Sequence, residues 1–238
     1  MKTVDVIVPC YKRPEYTRQC LGTIQQNTVY PNTRFLLIND GSGDDGTQEI
    51  MHSFLEQNPT NSIVLRHDKN AGLRNTLIEA FGVLMRGTSS DYIIKIDNDC
   101  LPPKEWIRSL VWLMENNDID IIAPDVYPSH PADRYKSKDA KESDSLFPSS
   151  VIGGNWIMKR DLLKNIKMDF NEERTLTGAW QLMQRIIQES RAKTAWTKDV
   201  TLQDMGHWSG KHPNHLKSKE HFNYSVEVGR VVSWKPKD

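Results

Sequence analysis

Short apolar runs alternate with amphipathic segments along the first 123 residues, and this alternation limits the folds that the chain can adopt. The runs are rich in β-branched residues and predict buried strands at Val4–Pro9, Arg34–Asn39, Ser62–Arg66, Tyr92–Ile96 and Ile119–Ala123. The segments between them predict helices at Thr17–Asn27, Thr47–Gln57, Leu73–Arg86 and Trp106–Asn116. This order predicts an α/β fold, in which helices flank a mainly parallel sheet and the crossovers are right-handed.

Length and charge narrow the class of protein further. The chain has 238 residues, enough for one large α/β domain, and its formal net charge is zero, so no overall charge favours nucleic acid or a membrane surface. Its three cysteines have no paired spacing, which is typical of free thiols in a reducing compartment. No apolar run approaches the roughly 18 residues of a membrane span. The N-terminus does not resemble a signal peptide, so we expect a cytoplasmic protein without an integral membrane segment.

The composition changes near Pro124. Residues 125–150 are polar and contain three prolines, which predicts a long loop of the kind that often closes over a ligand. A helix is predicted at Ala179–Ser190, and the tail from Lys211 is rich in lysine and histidine. We therefore expect one continuous domain with a nucleotide-binding half at residues 1–123 and an acceptor-binding half at residues 124–238, which ends in a basic tail.

Two carboxylates, Asp97 and Asp99, directly follow the apolar run at Tyr92–Ile96. In an open α/β sheet, ligands bind beyond the carboxyl ends of the strands, so both acids would face the binding crevice. Like charges this close repel unless a cation lies between them, and carboxylate oxygens suit Mg²⁺ or Mn²⁺ together with substrate phosphates. The alternative is an ordinary polar turn. We favour a metal site that serves a phosphate-bearing substrate.

Polar residues near the ends of other segments are candidates for the same crevice. Asp40 follows the second predicted strand, where it would accept hydrogen bonds from a base or a ribose. After the first strand, Tyr11 could stack on a nucleobase and Lys12 or Arg13 could contact a phosphate, unless this segment is a solvated turn. His207 is a candidate ligand for Mn²⁺, although a lone histidine is more often structural.

Taken in order, these motifs resemble a GT-A glycosyltransferase of family two. The matching segments are Val6–Arg13, Ile38–Ser42 with Asp44, Asp45 and Thr47, Asn70–Gly72, Ile96–Asp99, Gly153–Trp156 with Lys159 and Arg160, and Gly206–His207. Together they span roughly residues 3–210. The resemblance implies a single Rossmann-like GT-A domain that transfers a sugar from a nucleotide-sugar, with a UDP-sugar as the expected donor, to an acceptor hydroxyl.

The resemblance also implies roles for individual residues. It places the nucleotide-sugar against Pro9, Tyr11, Arg13, Asp40, Asn70, Arg74 and Asp97. It implies that Mn²⁺ or Mg²⁺ is bound by Asp97, Asp99 and His207. It places the acceptor beside Gly154, Asn155 and Trp156.

One departure from the family concerns the general base. Family members usually carry an acid pair at the start of the late helix, where this chain has Gly178 and Ala179. An inverting transfer needs a base within hydrogen-bond reach of the acceptor hydroxyl. The candidates are Glu172, Glu173, Asp204 and Asp125. Without such a base, the enzyme would be retaining, would use an unusually acidic acceptor or would be inactive.

The sequence therefore leaves open both the identity of the acceptor and whether the protein is catalytically active. A glycan or a lipid-linked saccharide is the expected acceptor, and a hydroxymethylated base in DNA is a second option that the basic tail permits. A catalytically inactive module that binds a nucleotide-sugar or a glycan is an alternative of another class. Nucleotidyl transfer is disfavoured because the first loop, Pro9–Pro14, lacks the glycines of a phosphate-binding loop.

Overall fold

The computed structural model describes residues 1–128, 145–164, 166 and 178–205, together with the backbone of two short strands near the C-terminus. Those two strands, β10 (Val226–Glu227) and β11 (Arg230–Val231), form an antiparallel pair. The other nine strands form one sheet in the order β3-β2-β1-β4-β8-β6-β9-β5, with β7 beside β9. The predicted α/β domain, a single central sheet flanked by helices, is confirmed.

The first four strands are parallel, as predicted. β1 (Val4–Cys10) lies between β2 (Thr33–Asn39) and β4 (Tyr92–Lys95), and β3 (Ser62–Arg66) pairs with β2. Because parallel strands point the same way, the turns that follow all four of them meet along one edge of the sheet.

The second half of the sheet is mixed, which the sequence did not predict. β8 (Trp156–Lys159) runs antiparallel between β4 and β6 (Ile121–Tyr127). β9 (Thr194–Asp204) is parallel to β6 and antiparallel to two short strands, β5 (Cys100–Leu101) and β7 (Leu146–Pro148). The loop predicted at residues 125–150 is therefore shorter, because β6 continues through Pro124 to Tyr127 with a shift in register and because β7 occupies its far end. Residues 129–144 lie outside the described residues.

Helices cover both faces of the sheet. One face packs against α1 (Pro14–Asn27), α2 (Thr47–Gln57) and α4 (Trp106–Asn116). The other face packs against α3 (Leu73–Gly87) and α5 (Ala179–Ser190). Each helix directs its apolar stripe inward, as in Ile50, Met51 and Phe54 of α2. The sheet thus has two hydrophobic cores, one on each face.

The three cysteines are free and buried beneath the edge where the strands end. Burial raises the pKa of the Cys10 thiol to about 12 and also raises the pKa of Cys20 and Cys100. These thiols therefore behave as small apolar groups rather than as nucleophiles. Among the described residues, every helix is too short or too polar to cross a bilayer.

Candidate active site

The two acids of the Asp97–Asp99 turn lie side by side just past the end of β4. One ligand atom from each of Asp97, Asp99 and Cys100 lies within 4.8 Å of the other two. The Asp99 side chain is only 17% exposed, so its carboxylate is largely withdrawn from water. Two hard oxygen donors at this separation fit a Mg²⁺ or Mn²⁺ ion, which usually takes one or two protein carboxylates and completes its shell with water and phosphate. The buried, protonated thiol does not suit such an ion.

Neighbouring elements fix the backbone of this turn. The Asp97 amide donates to Asn155 Oδ1 at 2.6 Å, and the Asn155 amide group donates to Cys100 Sγ at 3.5 Å. Asn98 Nδ2 donates to Thr17 Oγ1 of α1 at 2.8 Å. The backbone amide of residue 205 donates to the Asp99 carbonyl at 2.9 Å. The acids are therefore presented by a turn that is anchored from three sides.

Each acid has a cationic partner within the chain. Arg13 Nη1 donates to Asp99 Oδ2 at 2.8 Å, and Lys95 Nζ donates to Asp97 Oδ1 in a very short contact. Burial raises the pKa of Asp99; the Arg13 charge opposes this shift, whereas the charges of Asp97 and Asp204 add to it. The two acids thus lie close together, and their mutual repulsion is partly offset by the charges of Arg13 and Lys95.

Asp40 is buried at the end of β2 and is held by the segment that follows β3. Its Oδ1 atom lies 2.8 Å from the backbone nitrogen of Ala71 and 2.8 Å from Nδ1 of His67. His67 Nε2 in turn lies 2.6 Å from Oε2 of Glu79 on α3. Burial alone lowers the pKa of His67, but the hydrogen bonds to Asp40 and Glu79 outweigh it and raise the pKa overall. An imidazolium that donates to both carboxylates explains this geometry.

The glycine after Asp40 permits this close packing. Gly41 has a φ of +73°, and a Cβ atom there would lie 2.3 Å from the backbone nitrogen of Asn70. Asn70 Nδ2 also donates to the Asp40 carbonyl at 3.3 Å. The two motifs that follow β2 and β3 are therefore parts of one packed unit.

The turn after β1 is tied to the same unit. Lys12 and Arg13 both have left-handed backbones, with φ of 54° and 57°, and the Lys12 amide donates to Ser42 Oγ at 2.8 Å. Lys12 Nζ lies 5.4 Å from the centre of the Tyr11 ring. Pro9 is buried within β1, where it is paired with Ile38. These contacts set the direction in which the side chains of this turn leave the sheet.

An apolar cavity of about 320 Å³ lies beside Asp97, between α3, α5 and the segment at residues 151–156. Among the described residues that line it, Lys95 is the only charged one. Trp180 of α5, which is 52% exposed, also lines it. Trp156 lines it too, but it is buried and packs on Phe81 with ring centroids 6.0 Å apart. A Cβ atom on Gly154 would lie 2.9 Å from Asp97 Oδ2, so this glycine brings the cavity wall directly against the acid.

The remaining predicted residues are dispersed. Arg74 lies in the first turn of α3, where its Nη1 donates to Asn75 Oδ1 at 3.0 Å and its buried Nε has no acceptor among the described residues. Asp204 lies on β9 opposite Cys100 and close enough to affect Asp99 electrostatically. Asp125 accepts a hydrogen bond from Thr201 at 3.0 Å. Glu172, Glu173 and His207 lie outside the described residues.

The start of α5 has no carboxylate at the positions where the family has acids. Gly178 precedes the helix and Ala179 is its first residue. The Gly178 amide donates to Gln181 Oε1 at 3.2 Å, so an uncharged side chain closes the first turn. Lys159 and Arg160, part of the segment that matched the family pattern, are structural. Lys159 binds Asp120, and Arg160 Nη2 donates to three carbonyls at the end of α3.

Sequence reasoning missed three contributors to the site. Lys95 was treated as part of an apolar strand, although a lysine within such a run signals a buried cation with a partner. The anchoring role of Asn155 was not predicted: its side chain binds the turn at Asp97 and Cys100, and its contact with the acceptor stays a prediction. The bridge from His67 to Glu79 carried no recognisable sequence signal, because its members come from separate elements.

Comparisons with known proteins agree with this arrangement. The model of glycosyl transferase family 2 matches residues 5–189, so the chain belongs to that family, whose members have the GT-A fold. Glycosyltransferase AglE of Haloferax volcanii is 28% identical over 173 residues, which are 68% of this chain and 54% of that protein. The chain spans about half the length of several of the curated relatives that it matches.

Solved structures extend the similarity in fold. A mannosyltransferase, PcManGT from Pyrobaculum calidifontis in complex with GDP-Man and Mn²⁺, aligns with a TM-score of 0.66 at 18% identity, covering 92% of this chain and 61% of that one. GalNAc-T7 with UDP, GalNAc and Mn²⁺ aligns with a TM-score of 0.68 at 13% identity, covering 93% and 48%. At these identities the likeness establishes the fold alone.

Proposed function

We propose that this protein transfers a sugar from a nucleotide-sugar to an acceptor hydroxyl and that the donor diphosphate is bound through a divalent cation at Asp97 and Asp99. The observation that supports this most is the paired carboxylates on an anchored turn at the carboxyl edge of the sheet. Membership of glycosyl transferase family 2 supports the reaction class. Relatives that bind Mn²⁺ and a nucleotide or nucleotide-sugar support the donor class.

The chemistry of the donor set favours Mn²⁺ or Mg²⁺. A divalent cation at this site would neutralise negative charge on the leaving diphosphate. Asp97 and Asp99 would hold it, and we propose His207 as a further ligand. Lys95 would keep Asp97 in place, since its buried ammonium group restricts the carboxylate to one orientation.

The nucleotide would lie along the turns after β1, β2 and β3, within the half formed by residues 1–123. Asp40 Oδ1 already accepts two hydrogen bonds. Oδ2 is therefore the oxygen that would accept a hydrogen bond from the base or the ribose of the donor. Pro9, Tyr11 and Asn70 would complete the nucleoside pocket, and Arg13 and Arg74 would contact the diphosphate. The expected donor is a UDP-sugar.

The acceptor would enter from the half formed by residues 124–238, through the apolar cavity beside Asp97. An apolar wall with an exposed Trp180 suits the face of a sugar ring, and hydroxyls could reach the Lys95–Asp97 pair. A glycan or a lipid-linked saccharide fits this lining, and none of the reported relatives supports the alternative of a modified base in DNA. Asp204 and Asp125 are the candidate bases within the described residues, and Glu172 and Glu173 remain candidates outside them.

The decisive experiment compares Asp99→Asn with Asp161→Asn, which makes the same chemical change at an exposed acid in the short helical turn after β8. The proteins are incubated with UDP-glucose, UDP-galactose and UDP-N-acetyl sugars in the presence of Mn²⁺, and release of free UDP is measured. We expect the first variant to lose at least about a hundredfold in rate and the second to match the unmutated chain. Equal turnover by both variants would refute the metal site.

A module that binds but does not react is the alternative favoured by Gly178 and Ala179. It predicts thermal stabilisation by a UDP-sugar and Mn²⁺ without release of UDP. Measuring melting and turnover on the same sample separates the two functions.

A further inference from the structure

Arg13 contacts one of the two carboxylates that the proposed metal site requires. Its Nη1 atom lies 2.8 Å from Asp99 Oδ2, and the two side chains are only 20% and 17% exposed. A guanidinium and a carboxylate that are this close and this sheltered form a strong, charge-assisted hydrogen bond. A divalent cation bound to Asp99 would lie next to this guanidinium, and the two positive charges would repel each other.

The other acid, Asp97, is paired with Lys95, a cation that cannot move away from it. Lys95 is 1% exposed, and its ammonium group contacts Asp97 from within β4. Moving it away would leave a buried charge without a partner, which is strongly destabilising. If one cation yields to a metal ion, it is therefore Arg13.

The surroundings of Arg13 fix its backbone, and its side chain is partly exposed, whereas that of Lys95 is fully buried. Its carbonyl accepts hydrogen bonds from the amides of Tyr16 and Thr17, so the residue anchors the start of α1. The guanidinium carbon lies 5.6 Å from the centre of the Tyr16 ring. With the backbone held, an exchange would need a change in side-chain torsions, and a diphosphate in the crevice would offer the planar guanidinium a bidentate partner.

We propose that Arg13 and the divalent cation exchange at Asp99. Arg13 pairs with Asp99 in the free protein, and it moves to the donor diphosphate when the cation binds. This exchange rests on the proposed metal site, and it predicts in addition that binding of the cation and binding of the donor depend on each other. Metal alone binds weakly because it must displace Arg13, whereas the donor removes that competitor, so cation and donor each strengthen the binding of the other.

The test measures the affinity of Mn²⁺ alone by isothermal titration calorimetry and by the electron paramagnetic resonance signal of free Mn²⁺. Arg13→Gln removes the competing charge, and we expect it to bind Mn²⁺ about tenfold more tightly than the unmutated chain, within the usual range of coupling between sites. Arg18→Gln is the matched control, since it removes the same charge from an exposed position on α1. We expect no change in its Mn²⁺ affinity.

The same titrations with UDP present complete the test. UDP should raise the Mn²⁺ affinity of the unmutated chain by a larger factor than that of Arg13→Gln. Mn²⁺ affinity in Arg13→Gln that is equal to or weaker than in the unmutated chain overturns the exchange and leaves the metal site standing. Absence of Mn²⁺ binding by both proteins, with and without UDP, overturns the metal site and the exchange together.

A measurement on the unmutated chain guards against misfolding of the variant. The side-chain Nε resonance of Arg13, assigned with Arg13→Lys, should shift when diamagnetic Mg²⁺ and UDP are added. A resonance that stays fixed at saturating Mg²⁺ and UDP contradicts the exchange.

Discussion

The nucleotide side of the site, formed by the turns after β1, β2 and β3, differs in construction from the cavity side, formed by residues 151–156 and the start of α5. On the nucleotide side, backbone and side-chain hydrogen bonds join Lys12 to Ser42, and Asp40 to His67 and Ala71. On the cavity side, the lining residues that the structure describes are mostly apolar, and Lys95 is the one charged residue among them. A polar network fixes a ligand's orientation, whereas an apolar wall accepts related shapes, so we expect donor specificity to be strict and acceptor specificity to be broader.

The largest effect is expected from Gly41→Ala on the nucleotide side. A Cβ atom at this position would lie 2.3 Å from the backbone of Asn70, and the residue has a positive φ. The substitution must displace the segment after β3, which we expect to cost about 3 kcal/mol or more in the free energy of unfolding. Urea denaturation measures this cost.

Gly43→Ala is the control for that prediction. It lies in the same loop with nearly the same φ of +72°, but a Cβ atom there meets nothing within 4 Å. We expect a cost of only about 1 kcal/mol, which arises from the backbone conformation alone. Equal costs for the two variants would mean that the two motifs are not packed as one unit.

Gly154→Ala tests the boundary between the two sides. The added methyl group would lie 2.9 Å from Asp97 Oδ2 and would displace the carboxylate or the cavity wall. Because small displacements of a reacting group are costly, we expect kcat/KM to fall about a hundredfold while the fold is retained. Turnover and the thermal melting temperature are measured together, with Gly178→Ala as the control, because a Cβ atom there meets nothing within 4 Å. A normal rate for Gly154→Ala would show that the contact between the cavity wall and Asp97 does not matter for catalysis.

The network around Asp40 should make stability depend on pH. The pKa of His67 is raised above its value in the unfolded chain, so its contribution is present in full below that unfolded value, near 6.5, and is lost as pH rises through the folded value. The free energy of unfolding of the unmutated chain should exceed that of His67→Gln by about 1.5 to 2 kcal/mol at pH 6, the usual contribution of a hydrogen bond to a charged group. The difference should shrink towards pH 9. Urea titrations at several pH values measure it.

His52→Gln is the control for this pH dependence, since His52 is exposed on α2 and its described hydrogen bond is to Gln48, an uncharged side chain. Its difference from the unmutated chain should be small. A His67→Gln difference that grows with pH would show that the histidine is neutral in the folded state.

The nucleotide side could be largely predicted from the sequence because each of its parts is local. The predicted bounds of α2, β3 and α4 match the structure, since apolar spacing and polar turns mark both ends of each element. Asp40, Asp97 and Asp99 were placed near the same edge because parallel strands bring their ends together. The ion pair between Arg13 and Asp99 was not predicted, because nothing local links residues so far apart in sequence.

The cavity side could not be predicted because it depends on long-range pairing. β8 has four residues and inserts antiparallel between two strands that come earlier in the chain, a position that no local pattern specifies. Buried and exposed residues alternate in the second part of β9, but the segment contains so many charged and polar residues that its sequence did not predict a strand. The cavity exists only where these elements meet α3 and α5.

The smallest effect in free energy is expected from Trp180→Ala, which tests whether the apolar cavity binds the acceptor. Because Trp180 is exposed, its removal should change stability by less than about 0.5 kcal/mol. Loss of its ring should raise the KM for the acceptor about tenfold, the order of one aromatic contact, and leave the KM for the donor unchanged. Trp112→Ala is the matched control, because Trp112 is 60% exposed on α4, which packs on the other face of the sheet. A rise in donor KM with an unchanged acceptor KM would assign the cavity to the donor sugar and would reverse the expected order of specificity.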